Sequence, residues 1–246
     1  MNNCSFSNDA VKAIIWDYDG TMVNTKQKNY VVTQKIIQDF FKKEPFEFWA
    51  LQSYDNYLHA IEKIANWRDL YSNWFDLKMH EVDQIGKMWT QYQLEDDTPT
   101  LLYPGIEQVV NKLNNYPQGI VSQNSKINII KQLQMDNLNR LFECIIGFEE
   151  VPIQQQKPAP DGLLCCIDRL TDSQKGVVLF IGDHKTDIEC ANNANLHLIK
   201  KNVHVQVLSV IITYGANVNI SDWNIKPNFI ITKPQELLSK IEEIGI

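Results

Sequence analysis

Short runs of apolar residues recur along the chain, and most of them end at a polar residue. Runs of this length are typical of strands buried in a parallel sheet. They cover residues 13–16, 119–121, 144–146, 177–181, 208–213 and 229–231. Segments with helical apolar spacing lie between them, at residues 106–113, 127–133, 162–170, 187–194 and 234–244. This alternation predicts an α/β fold, a doubly wound, Rossmann-like parallel sheet with helices on both faces.

Residues 26–100 depart from that pattern. Apolar and aromatic residues recur there at helical spacing, and no glycine occurs before Gly86. Aromatic residues at this spacing usually face inward, so we expect the rings to form the core of an inserted helical domain. A substrate cleft lined by some of them is the alternative. The segment holds four of the six tryptophans, Trp49, Trp67, Trp74 and Trp89.

The change of pattern sets the expected domain boundaries. Residues 1–24 and 102–246 are expected to form the α/β domain, and residues 25–101 an all-helical cap domain. The segment from Tyr103 to Gly105 contains Pro and Gly, which favour a turn, and it predicts a hinge where the chain returns to the α/β domain.

Charge and composition narrow the possible partners. The net charge of −7 comes without a long basic run, which argues against a nucleic-acid-binding surface. No apolar run approaches the roughly 20 residues that span a bilayer, and residues 1–10 lack the pattern of a secretion signal. A cytoplasmic protein with no membrane contact is therefore expected. The five cysteines show neither zinc nor disulfide spacing and are expected to be reduced core thiols.

The first candidate site follows the apolar run at residues 13–16. Asp17 and Asp19 stand two positions apart at a strand end, so their carboxylates are expected on the same side. Such a pair can divide into a nucleophile and a general acid/base where the two environments differ. Gly20 allows a sharp turn with backbone N–H groups close to an anion, and Thr21 follows it. A solvated turn that closes a strand is the alternative.

Two further motifs could bind an anion. Ser122 and Gln123 follow an apolar strand and precede a helix, where free N–H groups favour negative charge, although Ser is also an ordinary N-cap residue. Lys157 lies in a loop stiffened by Pro158 and Pro160. A fixed lysine can serve as a counter-charge for phosphate.

A fourth motif follows the run at residues 177–181. Asp183 is a candidate ligand for Mg²⁺, which prefers carboxylates together with water and phosphate. Asp187 comes one helical turn later and could orient Lys157 or a metal-bound water, or simply compensate the helix N-terminus. His184 is expected to be a surface histidine in a turn rather than a catalytic base.

These four motifs, in this order along nearly the whole chain, resemble the signature of the haloacid dehalogenase superfamily. That signature is an Asp-x-Asp-Gly-Thr loop, a Ser or Thr after the second strand, a Lys, and Gly-Asp-x-x-x-Asp, and four motifs in order are far more specific than one. The helical insert is similar to the cap of phosphoglycolate phosphatases and beta-phosphoglucomutases.

The resemblance implies a Mg²⁺-dependent phosphatase for a small phosphorylated metabolite. Asp17 would attack phosphorus, and Asp19 would protonate the leaving group and then activate water. Mg²⁺ would be held by Asp17, the main-chain carbonyl of Asp19, and Asp183. Asp187 would support these ligands without binding the ion. The phosphate-binding residues would be Gly20, Thr21, Ser122, Gln123 and Lys157.

Other readings stay open at this stage. Asp19 argues against carbon–halogen cleavage, because dehalogenase relatives lack this second carboxylate. A sugar-phosphate mutase, a carbon–phosphorus hydrolase that uses a cap lysine, and a binding module of the same fold without turnover are the alternatives. A monomer or weak dimer is expected. Asn195 stands where the family has a glycine after the fourth motif, and it predicts the end of that helix.

Overall fold

The computed structural model describes residues 11–64, 67–171, 175–216 and 218–245. Its strands are β1 (Val11–Trp16), β2 (Val23–Asn24), β3 (Leu101–Leu102), β4 (Gln118–Val121), β5 (Cys144–Ile146), β6 (Lys175–Gly182), β7 (His204–Ile212) and β8 (Phe229–Ile231). Its α-helices are α1 (Lys26–Phe41), α2 (Tyr54–Ile61), α3 (Trp67–Trp74), α4 (Met79–Glu95), α5 (Ile106–Lys112), α6 (Lys126–Met135), α7 (Asp161–Leu170), α8 (Lys185–Lys200) and α9 (Glu236–Ile244). None of these helices is both long enough and apolar enough to cross a membrane.

A six-stranded parallel sheet runs in the order β5-β4-β1-β6-β7-β8. The predicted α/β parallel fold is thus confirmed. From β1 the chain builds the sheet outward on one side through β4 and β5, and then on the other side through β6, β7 and β8. Such a reversal of strand order opens a crevice at the carboxyl ends of the strands, where doubly wound sheets bind ligands.

The central strand β1 is buried on both faces. Ala13 and Ile15 pack in one core cluster with residues of α7 and α8. Because successive side chains of a strand point to opposite faces, Ile14 and Trp16 face the other way, and both are fully buried. The indole N–H of Trp16 donates to the side-chain oxygen of Gln118 at 3.1 Å, so its one polar atom is satisfied inside the core.

The chain divides into two compact units, one made of Met1–Met22 with Leu102–Ile246, and the other of Val23–Leu101. The second unit contains α1 to α4 around its own apolar core, which includes Val32, Ile36, Tyr71 and Ile85. Three of the four tryptophans predicted to lie in a core pack against this cluster. Trp49 is 44% exposed and stacks on Trp74, with ring centroids 5.2 Å apart.

The prediction that a helix ends at Asn195 is wrong, because α8 continues to Lys200. The side chain of Asn195 instead binds the backbone of Val207, accepting from its N–H and donating to its carbonyl oxygen, both at 2.8 Å. The neighbouring strand β8 pairs only with Val210–Ile212 of β7, so the amide of Asn195 satisfies backbone groups that β8 does not reach.

Candidate active site

The predicted site residues meet at the carboxyl ends of three adjacent strands. Asp17 directly follows β1, Ser122 follows β4, and Asp183 follows β6. Backbone bonds extend the sheet one residue past these ends: Asp17 N donates to Ile181 O at 2.7 Å, and Ser122 N donates to Ile146 O at 3.0 Å. The rigid sheet therefore fixes the backbone from which Asp17 and Ser122 project.

Lys157 lies buried between two carboxylates. Its ammonium group donates to Oδ1 of Asp17 in a short hydrogen bond and to Oδ1 of Asp187 at 2.7 Å. Burial alone would lower the pKa of Lys157, but the charges of Asp17 and Asp187 and the two hydrogen bonds raise it above its ordinary value. Lys157 therefore remains a cation, and it contacts Asp187, the residue that the sequence suggested could orient it.

The Thr21 hydroxyl links the first and fourth motifs. It lies 3.1 Å from Oδ2 of Asp17 and 3.1 Å from Oδ1 of Asp183. Gly20, with a φ of 83°, passes so close to Asp183 that a Cβ atom there would lie 2.2 Å from Oδ2 of that carboxylate. Glycine is thus needed both for the left-handed backbone and for the close approach of the loop to Asp183.

The side chains of Asp17, Asp183 and Asp187 form an acidic cluster, with ligand oxygens within 4.8 Å of one another. Burial raises the pKa of Asp17 well above its ordinary value; the charge of Lys157 opposes this rise, and Asp187 and Asp183 add to it. Three carboxylates against one lysine leave an excess of negative charge, and hard oxygen donors are what Mg²⁺ prefers. The donor set therefore fits a divalent cation.

The carboxylate of Asp19 contacts the second motif. Its Oδ1 accepts from Nδ2 of Asn124 at 3.0 Å, and the backbone N–H of Asn124 donates to Oγ of Ser122 at 3.0 Å. Asp17 is buried and Asp19 is half-buried, so the two carboxylates of the first motif have different surroundings, as a nucleophile and an acid/base require.

The sequence motifs assign no chemical role to Asn124. The only local signal was its position two residues after Ser122, at a strand end before a helix, where Asn is also an ordinary capping residue. Its contact with Asp19 joins residues 105 positions apart, which a local pattern does not reveal.

Two side chains from other segments hydrogen-bond to the backbone of the loop that carries Lys157. Nε2 of Gln123 donates to the carbonyl oxygen of Lys157 at 3.1 Å, and Nδ2 of Asn193 donates to that of Pro158 at 2.9 Å. Gln123, predicted to bind phosphate, thus contacts the backbone of the lysine loop.

His184 is the N-cap of α8 and not a free surface residue. Nδ1 lies 3.0 Å from Oγ1 of Thr186, and the backbone N–H of His184 donates to Oδ2 of Asp187 at 3.1 Å. Burial lowers the pKa of His184. The expected surface histidine is therefore corrected to a capping residue, and Asp187 holds both the helix start and Lys157.

The acidic cluster and the buried lysine lie where the strand order of the doubly wound sheet reverses, at the carboxyl end of β1. This arrangement defines an α/β enzyme with a site for an anion and a cation. The profile of the haloacid dehalogenase-like hydrolases matches residues 14–201. The chain belongs to this family, as the resemblance of its motifs implied, and it is a hydrolase.

Proteins of similar sequence align with most of the chain. It is 25% identical over 187 residues to the pyrophosphatase PpaX of Listeria monocytogenes, covering 75% of this chain and 80% of PpaX. It is 27% identical over 235 residues to a phosphoglycolate phosphatase of Pasteurella multocida, covering 94% and 98% of the two chains. Its fold is similar to the HAD-hydrolase YfnB of Bacillus subtilis, in a form bound to magnesium that reveals interdomain movement, with a TM-score of 0.64, 17% identity, and coverage of 94% and 99%.

Proposed function

We propose that this hydrolase is a Mg²⁺-dependent phosphatase of small phosphorylated metabolites that works through a phosphoryl group carried on Asp17. The observation that carries the proposal is the buried ammonium of Lys157, which contacts both Asp17 and Asp187 at the reversal point of the sheet. Phosphoryl transfer depends mainly on positioning and on neutralising charge, so a fixed cation beside a carboxylate nucleophile supplies the main requirement.

Each residue has a role that its contacts support. Asp17 attacks phosphorus while Lys157 holds its carboxylate, and Lys157 with the hydroxyl of Ser122 binds the phosphoryl oxygens. Asp19, oriented by Asn124, donates a proton to the leaving oxygen and then takes one from the water that hydrolyses the phosphoenzyme. Asp19 is half-buried whereas Asp17 and Lys157 are buried, so its carboxylate is more open to water than theirs.

A magnesium ion would be held by the carboxylates of Asp17 and Asp183 and by the main-chain carbonyl of Asp19. When bound, it supplies positive charge that offsets the carboxylates and the phosphate oxygens. The excess of carboxylates over lysine supports this assignment, and YfnB, of the same fold, binds magnesium. Asp187 contributes to the charge of the cluster, but its Oδ1 is bound to Lys157 and its Oδ2 to the backbone of His184.

Two relatives suggest different substrates, a phosphoglycolate and a pyrophosphate. We favour a phosphoglycolate-like monoester, because that relative aligns over 94% of this chain, whereas the pyrophosphatase aligns over 75%. Pyrophosphate is the second candidate.

The test is release of phosphate from 2-phosphoglycolate, inorganic pyrophosphate and a panel of sugar phosphates, with Mg²⁺ and with EDTA. The Asp17→Asn variant controls for contaminating phosphatases, since it lacks the nucleophile and keeps the side-chain volume. We expect Mg²⁺-dependent release that Asp17→Asn abolishes, with 2-phosphoglycolate ahead of pyrophosphate. Equal activity of the folded variant would contradict the covalent mechanism, and no release from any compound would favour a binding module.

A further inference from the structure

A strained turn follows β7. Ala216 N donates to Thr213 O at 2.8 Å, and the two central residues, Tyr214 and Gly215, both have positive φ, 50° and 79°. Glycine adopts this conformation readily, but a bulky aromatic residue does so rarely. A non-glycine residue keeps such a backbone only where its surroundings impose it, and such positions cluster at functional sites. The surroundings of Tyr214 therefore impose this backbone conformation.

The hydroxyl of Tyr214 reaches the loop of the first motif. It donates a short hydrogen bond to the carbonyl oxygen of Thr21, a residue 193 positions earlier in the chain. Burial raises the pKa of Tyr214 above its ordinary value, so the hydroxyl keeps its proton and remains a donor. Thr21 is the residue whose own hydroxyl lies 3.1 Å from both Asp17 and Asp183.

The ring of Tyr214 has a second contact. It stacks on Tyr103, with centroids 3.9 Å apart and an interplanar angle of 12°. The backbone N–H of Tyr103 donates to the carbonyl oxygen of Met22 at 2.9 Å. One side chain thus fixes the loop directly at Thr21 and, through Tyr103, at the adjacent residue Met22.

We propose that Tyr214 is a positioning residue for the reaction: it fixes the backbone of Thr21 and thereby sets the distance between the carboxylates of Asp17 and Asp183. The inference rests on the proposed function, because that pair of carboxylates is the pair assigned to Mg²⁺. Some residues orient metal ligands without contacting the metal themselves. Removing such a residue typically lowers metal affinity or activity by about 10- to 100-fold.

The experiment compares Tyr214→Phe with Tyr116→Phe. The first variant keeps the stacked ring and removes only the hydroxyl. Tyr116 is a half-buried tyrosine of the same unit that precedes β4, at the amino ends of the strands, away from the site. Three quantities are measured for each protein: binding of Mg²⁺ alone by calorimetry, kcat and KM for the best phosphate ester, and amide hydrogen exchange of residues 17–22.

We expect Tyr214→Phe to bind Mg²⁺ about 10- to 100-fold more weakly, to lower kcat more than it raises KM, and to speed exchange in residues 17–22. Tyr116→Phe should match the wild type in all three. A Tyr214→Phe protein that unfolds at a lower temperature but keeps wild-type Mg²⁺ affinity, kcat and exchange would show a structural role only and overturn the inference.

The exchange measurement separates this inference from the proposed function. A wild type without phosphatase activity, combined with faster exchange in Tyr214→Phe, would refute the function and retain the role of Tyr214 in holding the loop. An active wild type with unchanged exchange and unchanged Mg²⁺ affinity in Tyr214→Phe would refute the role of Tyr214 and retain the function.

Discussion

Asp17 illustrates how the charges around one side chain are balanced. Burial and the carboxylates of Asp183 and Asp187 favour its neutral form, while the ammonium of Lys157 favours the anion that a nucleophile must be. The hydroxyl of Thr21 adds a donor to the carboxylate at 3.1 Å. Asp17 therefore depends on cations to react, and removing one should affect chemistry more than folding of the sheet.

Replacement of Lys157 by alanine tests this dependence. Lys157→Ala leaves two carboxylates in the site without their cation, and losing one preorganised electrostatic partner typically costs about 10²- to 10³-fold in kcat. The control is Lys185→Ala, since Lys185 is a more exposed lysine whose ion pair with Glu189, at 3.4 Å, lies along α8. Steady-state kinetics of both variants test this expectation. Equal, small decreases in kcat would show that the charge of Lys157 has a structural role only.

Asp19→Asn should separate the two steps of the reaction. An alkyl phosphate needs a proton as its bond breaks, so its hydrolysis should slow by about 10²- to 10⁴-fold. A nitrophenyl phosphate leaves without that proton, but the phosphoenzyme on Asp17 then lacks a base to activate water. Rapid mixing should show a burst of nitrophenolate followed by a stall. Steady turnover at the wild-type rate on both substrates would remove Asp19 from the mechanism.

The sequence indicates some residues of the site better than others. Asp17, Lys157 and Asp183 each follow a recognisable local pattern, and the structure brings all three together. Asn124 and Tyr214 carry no such pattern, because their contacts with Asp19 and Thr21 depend on how distant segments meet in the fold. Spacing along the chain identifies groups on strand ends but not the partners that orient them.

At the scale of elements, strands were easier to predict than the ends of helices. The strands β5 and β8 begin and end where the apolar runs predicted. The end of α8 was misplaced, because Asn195 looks like a residue that stops a helix. Its side chain serves β7 instead, and this contact is invisible along the sequence.

Asn195→Ala should destabilise the packing of α8 on β7. It leaves the N–H and the carbonyl of Val207 without partners, and an unsatisfied buried polar group costs about 1–3 kcal/mol. Asn192→Ala makes the same chemical change three residues earlier on the same helix and should cost less. Urea unfolding of the two variants measures the difference, and equal midpoints would show that water replaces the amide of Asn195 at no cost.

At the scale of the whole molecule, binding of Mg²⁺ should be visible as stability. A ligand that binds only the folded state at 100 times its Kd adds about 2.7 kcal/mol, and a protein of this size gains about 2–4 °C in Tm per kcal/mol. Saturating Mg²⁺ should therefore raise the Tm of the unit that contains the site. Asp183→Asn should lose most of this increase. A Tm that is independent of Mg²⁺ in the wild type would contradict the metal assignment.

The helical unit Val23–Leu101 is where sequence reasoning was least informative about function. Its apolar spacing predicted helices, and the structure contains α1 to α4 there. Its aromatic rings largely pack on one another, as in the contact of Phe48 with Phe75 at 5.2 Å between centroids. The alternative that some of these rings line a substrate cleft stays a prediction, because aromatic spacing indicates burial and not what a surface binds.

The buried indole of Trp16 can serve as a fluorescence probe of the central strand. It directly precedes Asp17 and is shut off from solvent, with its N–H bound to Gln118. Iodide, which quenches fluorescence on collision, cannot reach a ring enclosed in this way while the sheet is intact. A variant with phenylalanine in place of every other tryptophan would keep Trp16 as its sole tryptophan. Its emission would then come from the residue next to the nucleophile Asp17. The onset of quenching by iodide would mark the opening of the central strand β1.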